Sequence, residues 1–323
     1  MPTPRLSLVV LTWNEEENIV ACLEAIGRQA DRDVEVIVVD AGSTDLTAGL
    51  VEQAKGWLPF PLRLHVGPPG MPIGAARNLG VQMARAPNVA FISADAQVRP
   101  HWVEEALHTL GSADMAFGPQ VHSPGRWSLG AAVRGLRYAF PDGPAEDPLQ
   151  FASNVAAAYR KDVLLRFPFD PWANAAEDLL LARRAHGAGY RAAYNPAMVA
   201  NHRDVSSLRQ ELRKNVREGR GWGLYSRELG ERWLLLSWSA LLAVSLVEAF
   251  FVPLLGLATL AATLWLPALR RGARRRGAMP FGRICAGIAV SPAFDLVFLA
   301  QYLRGLAGAR RPPATVPLQE THP

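Results

Sequence analysis

Acidic residues follow several short apolar runs of this chain, and they are the side chains that could do chemistry. Asp95 comes directly after the apolar run VAFIS at 89–93 and one alanine. A carboxylate at the carboxyl edge of a buried strand can hold a divalent cation that bridges two phosphates. Asp is also a favoured helix N-cap, so a purely structural role before a helix near 101–103 remains open for Asp95.

Other polar residues occupy equivalent places. Asn14 and Glu15 follow a first apolar run, Asp40 follows a second, and Glu177 and Asp178 open a later helical segment. Each has a local explanation as a turn, cap or first-turn acid. Chance explains much less well why these residues occur in this order and why all of them would lie at one edge of the sheet.

The elements that must position these acids alternate regularly. Apolar runs rich in β-branched residues predict strands, and apolar residues at helical spacing predict helices between them. This alternation indicates an α/β domain with a doubly wound, mostly parallel sheet. The predicted strands are 6–11, 34–39, 62–66, 89–93, 113–121, 151–159 and 190–200, and the predicted helices are 15–28, 46–55, 70–84, 127–140 and 179–186.

Composition limits the class of protein. Residues 203–323 carry 17 Lys and Arg against 8 Asp and Glu, so the formal net charge of +5 arises in the second part of the chain. The arginines flank apolar runs, which favours anionic lipid headgroups over nucleic acid as partners. Cys22 and Cys285 are the only cysteines, which excludes a disulfide framework or a thiolate zinc site. The N-terminus does not have the pattern of a signal peptide.

The second part of the chain predicts membrane association. Residues 206–232 form a basic amphipathic segment typical of a helix on a membrane surface, with Trp222 and Tyr225 as interfacial anchors; a helix packed on the first domain is the alternative. Residues 233–269 contain one charge, Glu248, and predict a membrane hairpin. Segment 284–303 either spans or lies in the interface. The resulting expectation is a multi-pass inner-membrane protein with a cytoplasmic domain 1–205, membrane helices in 233–305 and a disordered tail 306–323.

Five stretches together resemble the family 2 glycosyltransferases of the GT-A fold, which is Rossmann-like. They cover nearly all of residues 6–202 and are specific as a set: SLVVLTWNEEENI, EVIVVDAGSTDLT, GAARNLG, VAFISADAQVRP and AEDLLLARRAHGAGYRAAYNPAMVANH. The resemblance implies an enzyme that uses a nucleoside diphosphate sugar together with Mg²⁺ or Mn²⁺.

Carried over position by position, the resemblance also implies site residues. Asp178 would be the catalytic base, with Glu177 beside it, and Asp95 would bind the metal ion. His202 is a further candidate ligand, or a side chain that only completes the last strand. The nucleotide-sugar pocket would be formed by Thr12, Asn14, Glu15, Asp40, Gly42, Asp45, Arg77, Asn78, Ser93 and Ala94.

Two features depart from the family pattern. The first acid of the Asp-x-Asp metal motif is replaced by Ser93, which predicts weaker metal affinity with activity retained. Arg217, Arg220 and Trp222 match poorly a Gln-x-x-Arg-Trp element that would contact acceptor or diphosphate, and a membrane-surface role fits them at least as well.

The sequence therefore predicts an inverting glycosyltransferase that acts on a membrane-associated, lipid-linked or glycan acceptor, with membrane lipids and no nucleic acid as partners. Two alternatives remain. One is a non-catalytic scaffold that binds nucleotide, which Ser93 supports. The other is a nucleotidyltransferase, which shares the metal and phosphate chemistry but is not supported by the position of Glu177 and Asp178.

Overall fold

The computed structural model describes residues 3–29, 33–123, 128–129, 131–133, 147–203, 207–229, 239–240, 242–244, 253–274 and 281–307. Strands and helices alternate through the first part of the chain, and three long helices follow. The prediction of an α/β domain is therefore confirmed.

Ten described strands form two sheets. The larger has seven strands in the order β3-β2-β1-β4-β8-β6-β9, and the smaller has the order β5-β10-β7. Strands β1 to β4 are mutually parallel, whereas β8 runs antiparallel to β4 and β6. The larger sheet is therefore mostly parallel, as predicted. The strands are β1 (Leu6–Thr12), β2 (Val34–Asp40), β3 (Leu62–Val66), β4 (Asn88–Ser93), β5 (Ala96–Val98), β6 (Met115–Phe117), β7 (Gln120–Ser123), β8 (Ala156–Arg160), β9 (Ala192–Tyr194) and β10 (Ala200–Arg203).

Helices cover both faces of the larger sheet, because its central strands are apolar on both sides. Leu8 and Val10 of β1 face α1, α2 and α4, whereas Val9 faces α3, α5 and α6. The helices are α1 (Ile19–Gly27), α2 (Thr47–Ala54), α3 (Ile73–Met83), α4 (Trp102–Leu110), α5 (Lys161–Arg166), α6 (Glu177–Gly187), α7 (Leu208–Leu229), α8 (Pro253–Arg274) and α9 (Phe281–Ala307).

Three predicted strands are divided or shortened in the structure. The segment 113–121 divides into β6 and β7 around Gly118, where a Cβ would lie 2.1 Å from the Met198 carbonyl oxygen. The segment 190–200 divides between the two sheets around Pro196. The segment 151–159 is shortened, because Phe151 ends the 3-10 helix Pro148–Phe151 and β8 begins at Ala156. Most of the predicted helix 127–140 lies outside the described residues.

The long basic helix α7 packs against protein on two sides. A Cβ at Gly219 would lie 2.6 Å from the Phe298 carbonyl oxygen, and one at Gly223 would lie 2.0 Å from that of Tyr302, so α7 and α9 approach closely. On another side, the Tyr225 hydroxyl donates to Asp170 Oδ2 over 2.7 Å. Tyr225, which was predicted to anchor in a membrane interface, is therefore buried in protein.

The prediction of membrane-spanning helices is wrong for the helices that the structure describes. Neither α8, α9 nor any other of them combines the length and apolarity needed to cross a bilayer. Charged residues interrupt their apolar runs: Arg271 of α8 pairs with the largely buried Asp295 of α9. The expected localisation as a multi-pass inner-membrane protein is overturned by this finding. Most of the first half of the predicted hairpin, residues 233–252, lies outside the described residues.

A buried carboxylate ties the amino ends of the central strands together. Glu35 of β2 accepts hydrogen bonds from the Ser7 hydroxyl, from Arg85 and from Arg63. Burial alone would raise the pKa of Glu35, but these hydrogen bonds and the charge of Arg63 hold it below its usual value of 4.5. Glu35 therefore stabilises the fold as an anion.

We predict that Glu35→Gln lowers the free energy of unfolding at neutral pH by about 2–3 kcal/mol, because hydrogen bonds to a charged group are lost. The folded-state pKa lies below the unfolded-state value, so this stabilisation is complete above about pH 4.5 and is lost as the pH falls further. Urea unfolding of wild type and variant at about pH 7 and pH 3.5 measures the effect. Glu52→Gln, which breaks an exposed pair with Lys55, is the control and should change stability by less than about 0.5 kcal/mol. Equal effects of the two substitutions at neutral pH would contradict the prediction.

Candidate active site

The register of the parallel strands brings three predicted site residues to one edge. Thr12 of β1 pairs with Asp40 of β2, and Leu11 of β1 pairs with Ser93 of β4. The loops after these strands therefore begin at one level of the sheet. This is the carboxyl edge, where ligands bind in open α/β sheets.

The first two loops are joined by hydrogen bonds that involve several predicted pocket residues. The fully buried Asp40 accepts from the Ser43 amide and hydroxyl. Asn14, whose φ is +54°, accepts from the Thr44 amide over 2.8 Å. Gly42 has a φ of +77°, and a Cβ there would lie 2.6 Å from Pro69, so only glycine fits this turn. The structure thus brings Thr12, Asn14, Asp40 and Gly42 together.

Asp45 has a structural role in the same loops. Its carboxylate accepts from the Thr47 amide and hydroxyl and from the Glu16 amide. Glu15 is also held there, since its amide donates to the Thr47 hydroxyl over 2.8 Å. Helix α1 consequently begins at Ile19 rather than at Glu15, because the preceding residues form a loop tied to α2.

Asp95 and His202 meet where the two sheets join. His202 of β10 pairs with Ala96 of β5, which places its Nε2 3.3 Å from Asp95 Oδ2. Burial alone would raise the pKa of Asp95, but His202 and Lys214 hold it below its ordinary value. Asp95 is therefore an anion, and Ser93 and Ala94 lie directly before it in the chain.

Glu15 belongs to the same acidic cluster. Burial and the charge of Asp95 raise the pKa of Glu15 to about 7, against the opposing effects of Asn18, Lys214 and Arg203. The negative charges of these two acids repel each other, and a cation between them would relieve that repulsion.

The ligands for a metal ion are few. Within the described ranges, no group of three or more His, Cys, Asp and Glu side chains could hold a metal ion by itself. Mg²⁺ is, however, commonly bound by one or two carboxylates together with substrate phosphates. Asp95 fits that arrangement as a single carboxylate, and the His202 imidazole lies beside it as a nitrogen ligand that would suit Mn²⁺ better than Mg²⁺.

Glu177 and Asp178 open α6 after Ala176, whose φ is +62°. Asp178 Oδ2 accepts from the Asn154 amide over 3.1 Å, and its Oδ1 accepts from the Leu179 amide over 2.9 Å. Each oxygen keeps a further lone pair for another donor. This carboxylate is therefore oriented by backbone amides.

Arg77 and Asn78 make contacts that the sequence did not predict. Arg77 is buried, pairs with Glu177, and has its guanidinium carbon 5.3 Å from the centre of the Phe169 ring. The side-chain amide of Asn78 donates to the Phe169 carbonyl oxygen and accepts a hydrogen bond from the Phe169 backbone N–H. Both residues therefore contact the segment that leads to Glu177 and Asp178, and a contact with the nucleotide stays an untested prediction.

Helix α7 lies against that same segment. A Cβ at Gly221 would lie 2.8 Å from Ala175, and Trp222 packs against a buried cluster of Ala173, Leu180 and Tyr225. Trp222 therefore has a packing role.

The predicted arginines of α7 differ in their surroundings. The exposed Arg217 is close enough to Glu177 to lower its pKa, although burial has the larger, opposite effect. The backbone of Arg220 packs on α9, because a Cβ at Gly305 would lie 2.2 Å from the Arg220 carbonyl oxygen.

Sequence reasoning missed three residues at this site. Lys214 lowers the pKa values of Asp95 and Glu15 through its charge. Its position on the same helix face as Gly221 and Tyr225 is the sequence signal that could have placed it near these acids. Trp13 is 58% exposed at the end of β1, within a stretch that already suggested a binding site. Asn154 contributes its backbone amide, for which no sequence signal exists.

Comparison with known proteins identifies the family of this chain. Residues 7–166 match the sequence model of glycosyl transferase family 2. The putative glycosyltransferase EpsH of Bacillus subtilis (strain 168) is 28% identical over 242 residues, which are 70% of this chain and 68% of EpsH.

Two solved structures share the fold. The mannosyltransferase PcManGT from Pyrobaculum calidifontis, in complex with GDP-Man and Mn²⁺, has a TM-score of 0.59 and 20% identity, covering 94% of this chain and 87% of that one. S. aureus TarS, in complex with UDP-GlcNAc, has a TM-score of 0.54 and 15% identity, covering 94% and 90%. The α/β domain is thus the GT-A fold that the sequence motifs predicted. With its motifs at the carboxyl edge of that sheet and its match over residues 7–166, this chain belongs to glycosyl transferase family 2.

Proposed function

We propose that this glycosyltransferase moves one sugar from a nucleoside diphosphate sugar to a hydroxyl group of a glycan or lipid-linked acceptor, with inversion at the anomeric carbon. One observation carries the proposal: two carboxylates near the carboxyl edge of the sheet are held by different partners. Asp95 lies beside His202, and Asp178 is held by backbone amides.

The nucleotide half of the donor would lie over the ends of β1 and β2. The turn at Gly42 and the hydrogen bonds between the Asn14 loop and the Thr44 loop fix the backbone there before ligand arrives. A preorganised pocket loses less entropy when it binds its ligand. GDP-Man and UDP-GlcNAc in the two similar structures support a nucleotide sugar as donor and leave the base open.

Asp95 and His202 would hold a divalent cation against the donor diphosphate. Such a cation, when bound, offsets the negative charge that develops on the leaving diphosphate. The Mn²⁺ bound by PcManGT supports this choice of cofactor. Ser93 adds a hydroxyl without a charge, so we expect Asp95 to provide the main anionic ligand.

Asp178 would act as general base. One of its carboxylate oxygens would take the proton from the acceptor hydroxyl while the hydroxyl oxygen attacks the anomeric carbon. The bond from that carbon to the diphosphate would break on the opposite face. Glu177 would contribute indirectly, because its ion pair with Arg77 fixes the residue immediately before the base. Arg77 and Asn78 are therefore proposed as positioning residues, since both hold the segment that leads to Asp178.

We predict that Asp178→Asn lowers the turnover number by about 10²–10⁴-fold, the range of a general base, while nucleoside diphosphate affinity changes less than about threefold. Release of nucleoside diphosphate from a panel of UDP, GDP and dTDP sugars, beside calorimetric binding of the product, measures both. Asp162→Asn, which changes an exposed carboxylate, is the matched control and should match wild type.

Two outcomes would overturn this assignment. Turnover by Asp178→Asn within about threefold of the control would remove the proposed base. Binding of one nucleotide by wild type, with no release from any donor, would instead favour the non-catalytic scaffold for which Ser93 is the main support.

We predict that Asp95→Asn raises the Mg²⁺ or Mn²⁺ concentration for half-maximal activity by about tenfold or more, because loss of a metal ligand's charge weakens binding. A metal titration of both donor hydrolysis and nucleoside diphosphate binding measures the shift. Glu52→Gln is the control for loss of one surface carboxylate. An unchanged titration of Asp95→Asn in both assays would contradict the proposed metal site.

A further inference from the structure

The face of α7 that contacts the catalytic domain also carries a lysine. Gly221 lies against Ala175, and the Tyr225 hydroxyl donates to Asp170, so one face of the helix is fixed. Lys214 lies seven residues before Gly221, which is about two helical turns, or roughly 10 Å along the same face. Lys214 therefore lies on the face of α7 that is docked on the catalytic domain.

Lys214 acts electrostatically on the acids that follow β1 and β4, Glu15 and Asp95. Its positive charge opposes the upward effect of burial on the pKa values of both Asp95 and Glu15. The lysine side chain is itself partly buried, whereas its neighbour Arg213 is exposed. Screening by solvent is weaker for partly buried charges, so the charge of Lys214 is felt at both acids, although His202 has the larger effect on Asp95.

Binding of a diphosphate at this site would require additional positive charge. A nucleoside diphosphate brings a multiply charged anion to an edge that already holds two acids. Across the described ranges, no set of three or more His, Cys, Asp and Glu side chains could hold a metal ion by itself, and Ser93 adds no charge. An ammonium group has three donors and no acceptor, which suits it to phosphate oxygens.

We propose that Lys214 of α7 binds the diphosphate of the donor and of the nucleoside diphosphate product, as a protein cation that supplements the divalent ion. This inference rests on the proposed function and adds a binding residue to it. It also gives α7 a role: the docking of Gly221 and Tyr225 on the segment before Asp178 sets the position of Lys214.

Lys214→Met, compared with Arg213→Met in the full-length protein, tests the proposal. Both substitutions remove one positive charge from neighbouring positions of α7, but their side chains point in directions about 100° apart. Calorimetry would measure the affinity for UDP and GDP, and for uridine and guanosine, with Mn²⁺ and again with EDTA.

We expect Lys214→Met to weaken binding of the preferred nucleoside diphosphate by about 10- to 100-fold, the cost of a lost charge-assisted contact, with nucleoside binding unchanged. Arg213→Met should stay within about threefold of wild type. In EDTA, wild type should keep measurable nucleoside diphosphate affinity that Lys214→Met loses. Lys214→Arg should restore part of the affinity, and thermal unfolding of each variant checks that the fold is retained.

Two outcomes would contradict the proposal, and they can be told apart. If wild type binds a nucleoside diphosphate and Lys214→Met binds it as tightly as Arg213→Met, the role of Lys214 is refuted and the proposed function stands. If wild type binds neither UDP nor GDP and releases neither from any donor, the proposed function and the role of Lys214 are both overturned.

Discussion

The buried ion pair between Arg77 and Glu177 joins parts of the chain on which the candidate site depends. Removing two charges from water is costly, and attraction between them offsets that cost only when the geometry is well fixed. Here the guanidinium also lies over the rings of Phe91 and Phe169, which gives it favourable cation–π contacts. The pair therefore holds α3, the core of β4 and the start of α6 in one arrangement.

The segment fixed by this ion pair also determines the positions of Asp178 and α7. The segment that ends at Glu177 presents Asp178 to the edge of the sheet, and the same segment receives α7 at Ala175 and Asp170. The proposed base and the basic helix are thus positioned by one support. A shift of this segment would move Asp178 and Lys214 together, so in the proposed mechanism it would affect the general base and the binding of diphosphate at once.

The sequence predicted the acids at the strand ends because a parallel sheet places all its carboxyl ends on one edge. Asp40 and Asp95 needed only strand order, whereas Asp178 opens a helix and was singled out by the resemblance of its motif. Arg77 and Asn78 could not be placed in the same way, since their partners lie about 90 to 100 positions away in the chain. Nothing local to Arg77 distinguishes an arginine that contacts nucleotide from one that pairs with a buried glutamate.

The C-terminal helices show a second limit of sequence reasoning. Glycines and apolar residues at helical spacing serve equally well in lipid or in a close helix–helix contact. In the described residues, Gly219 and Gly223 of α7 meet the backbone of α9, and Asp295 of α9 pairs with Arg271. A charge inside an apolar run interrupted the periodic pattern without revealing its partner, so composition alone could not separate the two interpretations.

Charge balance connects these observations at the edge itself. Asp95 remains an anion because His202 and Lys214 outweigh the effect of burial. Burial, together with the charge of Asp95, raises the pKa of Glu15 to about 7. The acids therefore repel one another until positive charge lies between or beside them. A divalent cation alone would meet one strong anionic ligand here, because Ser93 contributes none. A helix that delivers an ammonium group to the same place lets a site with fewer carboxylates still neutralise a diphosphate.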